Sequence, residues 1–176
     1  MTTMTETAKE DASVPVGMMK WVWLSGLTIV LDQLTKWMVS HNLQLGEVIP
    51  VFPTFNLTRV YNPGAAWSFL ANAGGWQRWF FTAIGVTVCA VLVAWLRRVP
   101  KSDWWLAAAI ALILGGAVGN LIDRVWMGHV TDFLQFYWPP SGMGNVSYFP
   151  SFNVADSGIT VGAFMMILDM IRNPKK

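Results

Sequence analysis

The sequence predicts an all-α membrane protein, a bundle of four transmembrane helices, and three observations carry that prediction. Of 176 residues, 54% are hydrophobic and only 12% charged, about half the roughly 25% charge of a soluble domain. Such a chain cannot cover a water-facing surface, and its mean hydropathy of +0.43 agrees. Four apolar runs approach the roughly 20 residues that cover a hydrocarbon core of about 30 Å. Eleven tryptophans, many near the ends of those runs, match the aromatic belts of membrane–water boundaries.

Residues 1–17 are polar, without an apolar period, and are expected to form a disordered tail. The first run, about 18–40, is too long for the core of a cleaved signal peptide and has no convincing small-residue cleavage site, so it reads as a retained span. The runs Trp79 to Leu96 and Trp104 to Ile122 carry no charge, and Val154 to Ile171 holds only Asp156 and Asp169, near its ends. The expected unit is one membrane domain over 18–172, with spans at about 18–40, 76–97, 103–125 and 153–172.

Basic residues set the orientation. Lys9 and Lys20 precede the first span; Arg97, Arg98 and Lys101 fill the link between the second and third; Arg172, Lys175 and Lys176 follow the fourth. Connections 41–75 and 126–152 contain only Arg59 as a clear basic residue. The positive-inside rule therefore places both termini and the 97–103 link in the cytoplasm, with both long connections outside.

Those connections have structure of their own. In 48–61, Phe55, Leu57, Arg59 and Tyr61 alternate with Asn56, Thr58 and Val60, which predicts one or two short strands kinked by Pro50 and Pro53. Asn62 is a natural N-cap and Pro63 a natural first helical residue, so a short interfacial helix is expected, ending before Gly74-Gly75. The second connection reads as a Pro/Gly/Ser loop over 139–144 and a short extended stretch from Val146 to Phe149.

Several chemistries are excluded early. A net charge of +2 with no basic stripe argues against a nucleic-acid partner. One cysteine, Cys89, allows no internal disulfide, and His41 and His129 lie far apart, so neither a metal nor a cofactor is expected.

What remains is a set of ionisable and amide residues, each costly within or beside a membrane. Asp32 and Lys36 share a face of the first span; Asn120, Asp123 and Arg124 close the third; Asn153 and Asp156 open the fourth; Asn62 and Asp132 lie in the connections. All fall at one depth, the outer end. Asp32/Lys36 reads best as a structural ion pair tying helices together. Asp123–Arg124 reads equally well as an interfacial charge pair, and Gly115/Gly119 as a helix-packing surface. Cys89 reads as a buried apolar residue, and Asp169 beside Arg172 as a solvated carboxylate.

Asp132 and Asp156 resist such readings, because neither has a cation within four residues of its own segment. Two carboxyls at one depth on adjacent spans would repel, leaving one protonated and one ionised, the arrangement of an aspartic protease. Proton-coupled transporters also use lone aspartates, although no internal repeat is visible and the charges avoid the midplane. A non-enzymatic membrane scaffold fits the charge-free spans but not the unpaired aspartates.

Gly119-Asn120-Leu-Ile-Asp123-Arg124, Gly128-His-Val130-Thr-Asp132-Phe133 and Phe152-Asn153-Val-Ala155-Asp156-Ser157 resemble, in order, the signatures of bacterial lipoprotein signal peptidase. Asp32-Gln-Leu-Thr-Lys36 and Asn62-Pro-Gly-Ala-Ala66-Trp-Ser-Phe69 are similar to two further motifs, although Pro63 and Trp67 depart from the pattern. The resemblance runs over about 20–172. It implies a four-span inner-membrane aspartic endopeptidase that removes the signal peptide from diacylglyceryl-modified prolipoproteins, cutting just before the lipidated cysteine. By the same resemblance Asp132 and Asp156 are the catalytic pair. Asn120, Arg124 and Asn153 then orient the pair and the substrate, while Asp32, Lys36 and Asn62 shape the cleft. The 41–70 region corresponds to a small extracytoplasmic sheet and adjoining helix. Prolipoproteins and membrane lipids are the expected partners, and a monomer is expected.

Overall fold

A computed structural model describes residues 16–64, 74–138 and 145–173. The expected N-terminal tail (except 16–17), most of the helix expected after Asn62, and the 139–144 loop lie outside the described residues.

Four long helices form: α1 (Val22–Asn42), α2 (Gln77–Leu96), α3 (Trp104–Trp126) and α4 (Val154–Arg172). α3 is central, and the other three pack around it. Its N-terminus is capped by Asp103, whose carboxylate accepts from the Leu106 amide. Small residues bring its neighbours close. A Cβ on Gly115 would lie 2.7 Å from Thr28 Cβ, and one on Gly119 only 2.6 Å from Asp32 Oδ2. The small-residue pair read from the sequence is thus a seam against α1, and Gly116 abuts Ala155 of α4.

Among the described residues, α2, α3 and α4 are long and apolar enough to cross a membrane. α1, with 21 residues, is as long, but Asp32, Gln33 and Lys36 lower its hydropathy. Its two charges point inward, at 0% and 3% exposure, whereas every exposed residue from Val22 to Met38 is apolar, Trp23, Val30 and Trp37 most of all. The two ends of the bundle differ in character. Met18, Leu92, Leu96, Val99, Ala107, Ile110 and Leu114 form an apolar core toward the 97–103 link, and most of the buried polar groups, Ser25 and Asp103 apart, gather toward the other end.

At that polar end lies a four-stranded antiparallel sheet in the order β1 (Val48–Phe52), β2 (Phe55–Asn62), β3 (Val130–Trp138), β4 (Ser147–Tyr148). The one or two strands expected over 48–61 form as two, with a register shift between Pro50 and Phe52. β4 falls within the extended stretch expected over 146–149. β3 was not expected: after α3 the chain turns through Gly128, at φ +80°, directly into nine strand residues. Asp132 therefore stands on a strand opposite Val60, not in a loop.

Candidate functional site

The site is built from the helix seam outward. Lys36 Nζ lies 2.8 Å from Asp32 Oδ2 and 2.9 Å from Asp123 Oδ2, and donates to Asn120 Oδ1 at 3.0 Å, so all three of its protons have partners. Asp32 Oδ1 accepts the Ala155 amide at 2.9 Å, placing a carboxylate on the N-terminus of α4. Asp123 accepts from Gln33 Nε2 at 2.9 Å and from the Thr131 amide at 3.2 Å, which ties β3 to the bundle. The structural ion pair read at Asp32/Lys36 is thus a triad linking α1 and α3, with bonds onward to α4 and β3.

Asn120 passes this order on. Its Oδ1 accepts from Lys36 and from Asn153 Nδ2 (3.2 Å), which turns its Nδ2 toward Asp156 Oδ1 at 2.7 Å. Asn153 is the N-cap of α4 and forms a capping box with Asp156: the Asp156 amide donates to Asn153 Oδ1 at 2.9 Å, and the Asn153 amide to Asp156 Oδ2 at 3.3 Å. The same Asn153, at 0% exposure, donates Nδ2 to Asp132 Oδ1 at 2.8 Å. Asn62, at the end of β2, donates to Asp132 Oδ2 at 3.2 Å. One asparagine therefore holds both carboxyls, and each carboxyl oxygen of the pair accepts an N–H.

Electrostatics separate the two acids. Asp132, 3% exposed, has its pKa pushed up to about 7, first by burial and then by the charge of Asp156; the amides of Asn62 and Asn153, and Lys36, oppose the rise. Near neutral pH Asp132 holds a proton for much of the time.

The pair opens into a cavity of about 650 Å³ whose lining includes Asn62, Asn120, Arg124, Asp132 and Asp156, with apolar walls from Phe152, Ile159 and Val161. Arg124 does not pair with Asp123, whose carboxylate belongs to Lys36. Its guanidinium donates to the carbonyls of Gly64 (3.1 Å) and Asn120 (3.3 Å) and lies over the Phe81 ring. Asp32 and Lys36 stand behind the cavity rather than in its lining. Asp169 lies at the opposite end of α4 and accepts from Asn173. Cys89 is a half-buried free thiol. His41 contacts the Trp37 carbonyl, and the His129 ring packs tilted against Tyr61 at 3.8 Å, its pKa lowered chiefly by burial.

Two contributors escaped the sequence reading. Gln33 bridges Asp32, Asp123 and the Gly119 carbonyl. Arg78 donates to the Arg124 and Val125 carbonyls, closing the end of α3 on which Arg124 stands. A lone arginine at the outer end of a span runs against the charge rule, and that was its signal. Among the described residues no group of three or more His, Cys, Asp or Glu side chains is placed to hold a metal.

The model of the family described as "Signal peptidase (SPase) II" matches residues 24–172. The lipoprotein signal peptidase of Pseudomonas putida is 52% identical over 160 residues, which cover 90% of this chain and 91% of that protein. That of Pseudomonas aeruginosa is 51% identical, covering 90% and 92%. A bacterial membrane enzyme solved by the in meso method at 2.3 Å superposes with a TM-score of 0.77 at 29% identity, covering 91% of this chain and 92% of that one.

Proposed function

The chain belongs to the signal peptidase II family, and we propose that it removes the signal peptide from diacylglyceryl-modified prolipoproteins as an aspartic endopeptidase with Asp132 and Asp156 as its catalytic pair. The observation that carries this reading is the single asparagine, Asn153, bonded to both carboxyls at the edge of an open cavity.

The chemistry follows from the two environments. Asp132, its pKa raised by burial, is the acid and hydrogen-bonds the scissile carbonyl oxygen. Asp156 is the base. It takes a proton from a water whose oxygen attacks the carbonyl carbon, while Asp132 gives its proton to the carbonyl oxygen, forming a neutral tetrahedral diol. On collapse the C–N bond breaks, Asp156 delivers its proton to the leaving cysteine nitrogen, and Asp132 recovers one from the diol. Asn120 and Asn153 fix the carboxyl orientations, Arg124 and Asn62 face the substrate backbone, and the Asp32–Lys36–Asp123 triad holds the cleft's shape.

The same reading sets the protein in the membrane with four spans. An α1 whose exposed residues from Val22 to Met38 are apolar and whose charges are buried suits lipid better than water. The termini and the 97–103 link then face the cytoplasm, and the cavity faces the outer interface, where a lipid-anchored substrate presents its scissile bond. Purified protein given a diacylglyceryl-modified prolipoprotein and its unlipidated counterpart should cleave only the former, with the product beginning at the lipidated cysteine. Equal cleavage of both, or cleavage elsewhere, would overturn the assignment.

A further inference from the structure

On the other side of α3, away from the aspartates, a second cavity of about 580 Å³ lies between α1 and α2. Both helices lean on α3, and Leu114 and Val118 of α3 contribute to its lining. Its walls are kept back by small residues, Gly26 on one side and Ala90 and Ala94 on the other. A Cβ added at Gly26 would meet nothing within 4 Å. Along α2 the slot runs from Cys89 to Arg97, about 12 Å at 1.5 Å per residue, close to the depth of one leaflet's hydrocarbon. Inside, the lining is almost wholly apolar; at the end it carries one cation.

That cation is Arg97. It is exposed and, among the described residues, pairs with no carboxylate, both salt bridges there belonging to Lys36. The Gly17 and Met18 amides donate to the Val99 and Leu96 carbonyls, so the turn carrying Lys20 is clipped against the link that holds Arg97, Arg98 and Lys101. Trp21, stacked with Trp23 and Trp104, stands at the same end, where indole rings mark headgroup depth. An apolar slot one leaflet deep under a cationic, tryptophan-rich mouth has the complementarity of one ligand class. We propose that the α1–α2 groove binds an anionic phospholipid, with an acyl chain in the slot and its phosphate on Arg97. The site is separate from the proteolytic chemistry and rests only on the membrane placement of α1 and α2, which fusion reporters test by themselves.

Native mass spectrometry of the full chain, released from detergent with phosphatidylglycerol or phosphatidylcholine of identical acyl chains, decides the matter. One phosphatidylglycerol should be retained per chain, with a preference of about fivefold over phosphatidylcholine, whose choline cancels the phosphate charge that Arg97 attracts. Arg97→Gln should bring the preference to near parity, Ala90→Leu should abolish retention of both lipids by filling the slot, and Arg172→Gln should change neither. Should Ala90→Leu fail to fold, Arg97→Gln decides alone, because its exposed side chain is not needed for packing. A preference that survives Arg97→Gln, retention that survives Ala90→Leu, or a retained mass that proves to be a peptide or a second chain would overturn the proposal.

Discussion

Replacing Lys36 by Met tests whether the buried triad supports the fold rather than the chemistry. Methionine keeps the stem's volume but removes three contacts, to Asp32 at 2.8 Å, Asp123 at 2.9 Å and Asn120 at 3.0 Å, from a site 3% exposed. Two buried carboxylates then face each other, with Gln33 as their shared side-chain donor. Removing one partner from a buried ion cluster costs about 3–5 kcal/mol. At roughly 2–4 °C per kcal/mol for a chain of this length, Tm should fall by about 6–20 °C. Tryptophan fluorescence during heating in detergent reads this directly. The triple variant Asp32→Asn/Lys36→Met/Asp123→Asn, which leaves no uncompensated charge, should recover at least half of the loss. A Lys36→Met shift below about 2 °C would refute the reasoning, and a triple variant as unstable as the single one would refute its electrostatic part.

Two further outcomes follow from the site and from the topology. Because burial raises the Asp132 pKa from 3.8 to about 7, its proton contributes stability that is complete below about pH 4 and is lost as pH rises through about 7. Tm should therefore decline between pH 5 and 8 in the parent but stay nearly flat in Asp132→Asn, while the parent's kcat/KM falls about tenfold per pH unit above that range. Reporter domains fused after Leu70 or Gly142 should lie outside the cytoplasm and one after Pro100 inside it; a cytoplasmic signal at Gly142 would contradict the proposed orientation.

Much of the architecture was legible because the bilayer imposes length and charge rules that a one-dimensional reading can apply. The charge-free stretches behind α2 and α3 stand out at once, and so does Asn153 with Asp156 three residues on, a capping pattern that marks the start of α4. The third span was expected over about 103–125 and α3 runs Trp104–Trp126, although its charge-free run stops at Ile122 and Asn120, Asp123 and Arg124 cluster at its end. They continue the helix to Trp126 because Asp123 and Asn120 turn inward to Lys36. β3, by contrast, was missed. Val130, Thr131, Asp132 and Phe133 are all buried, so the strand shows no inside–outside alternation, and only its later aromatic residues, Phe136 to Trp138, hint at it. The polar residues were recognisable as one group by depth. What depth could not supply was the wiring. That Asn153 bonds both aspartates, and that Gln33 and Arg78 brace their supports, depends on contacts between segments far apart in sequence.

The central claim, that Asp132 and Asp156 together perform hydrolysis, is tested most directly by turnover of a lipidated prolipoprotein by Asp132→Asn and Asp156→Asn, with Asp169→Asn as the control at the far membrane face. Asparagine is nearly isosteric with aspartate but neither accepts nor holds the proton in transit. Each dyad variant should lose about 10²–10⁴-fold or more in kcat while remaining folded and binding substrate, and Asp169→Asn should match the parent. Turnover within tenfold of the parent by either dyad variant would contradict the aspartic mechanism.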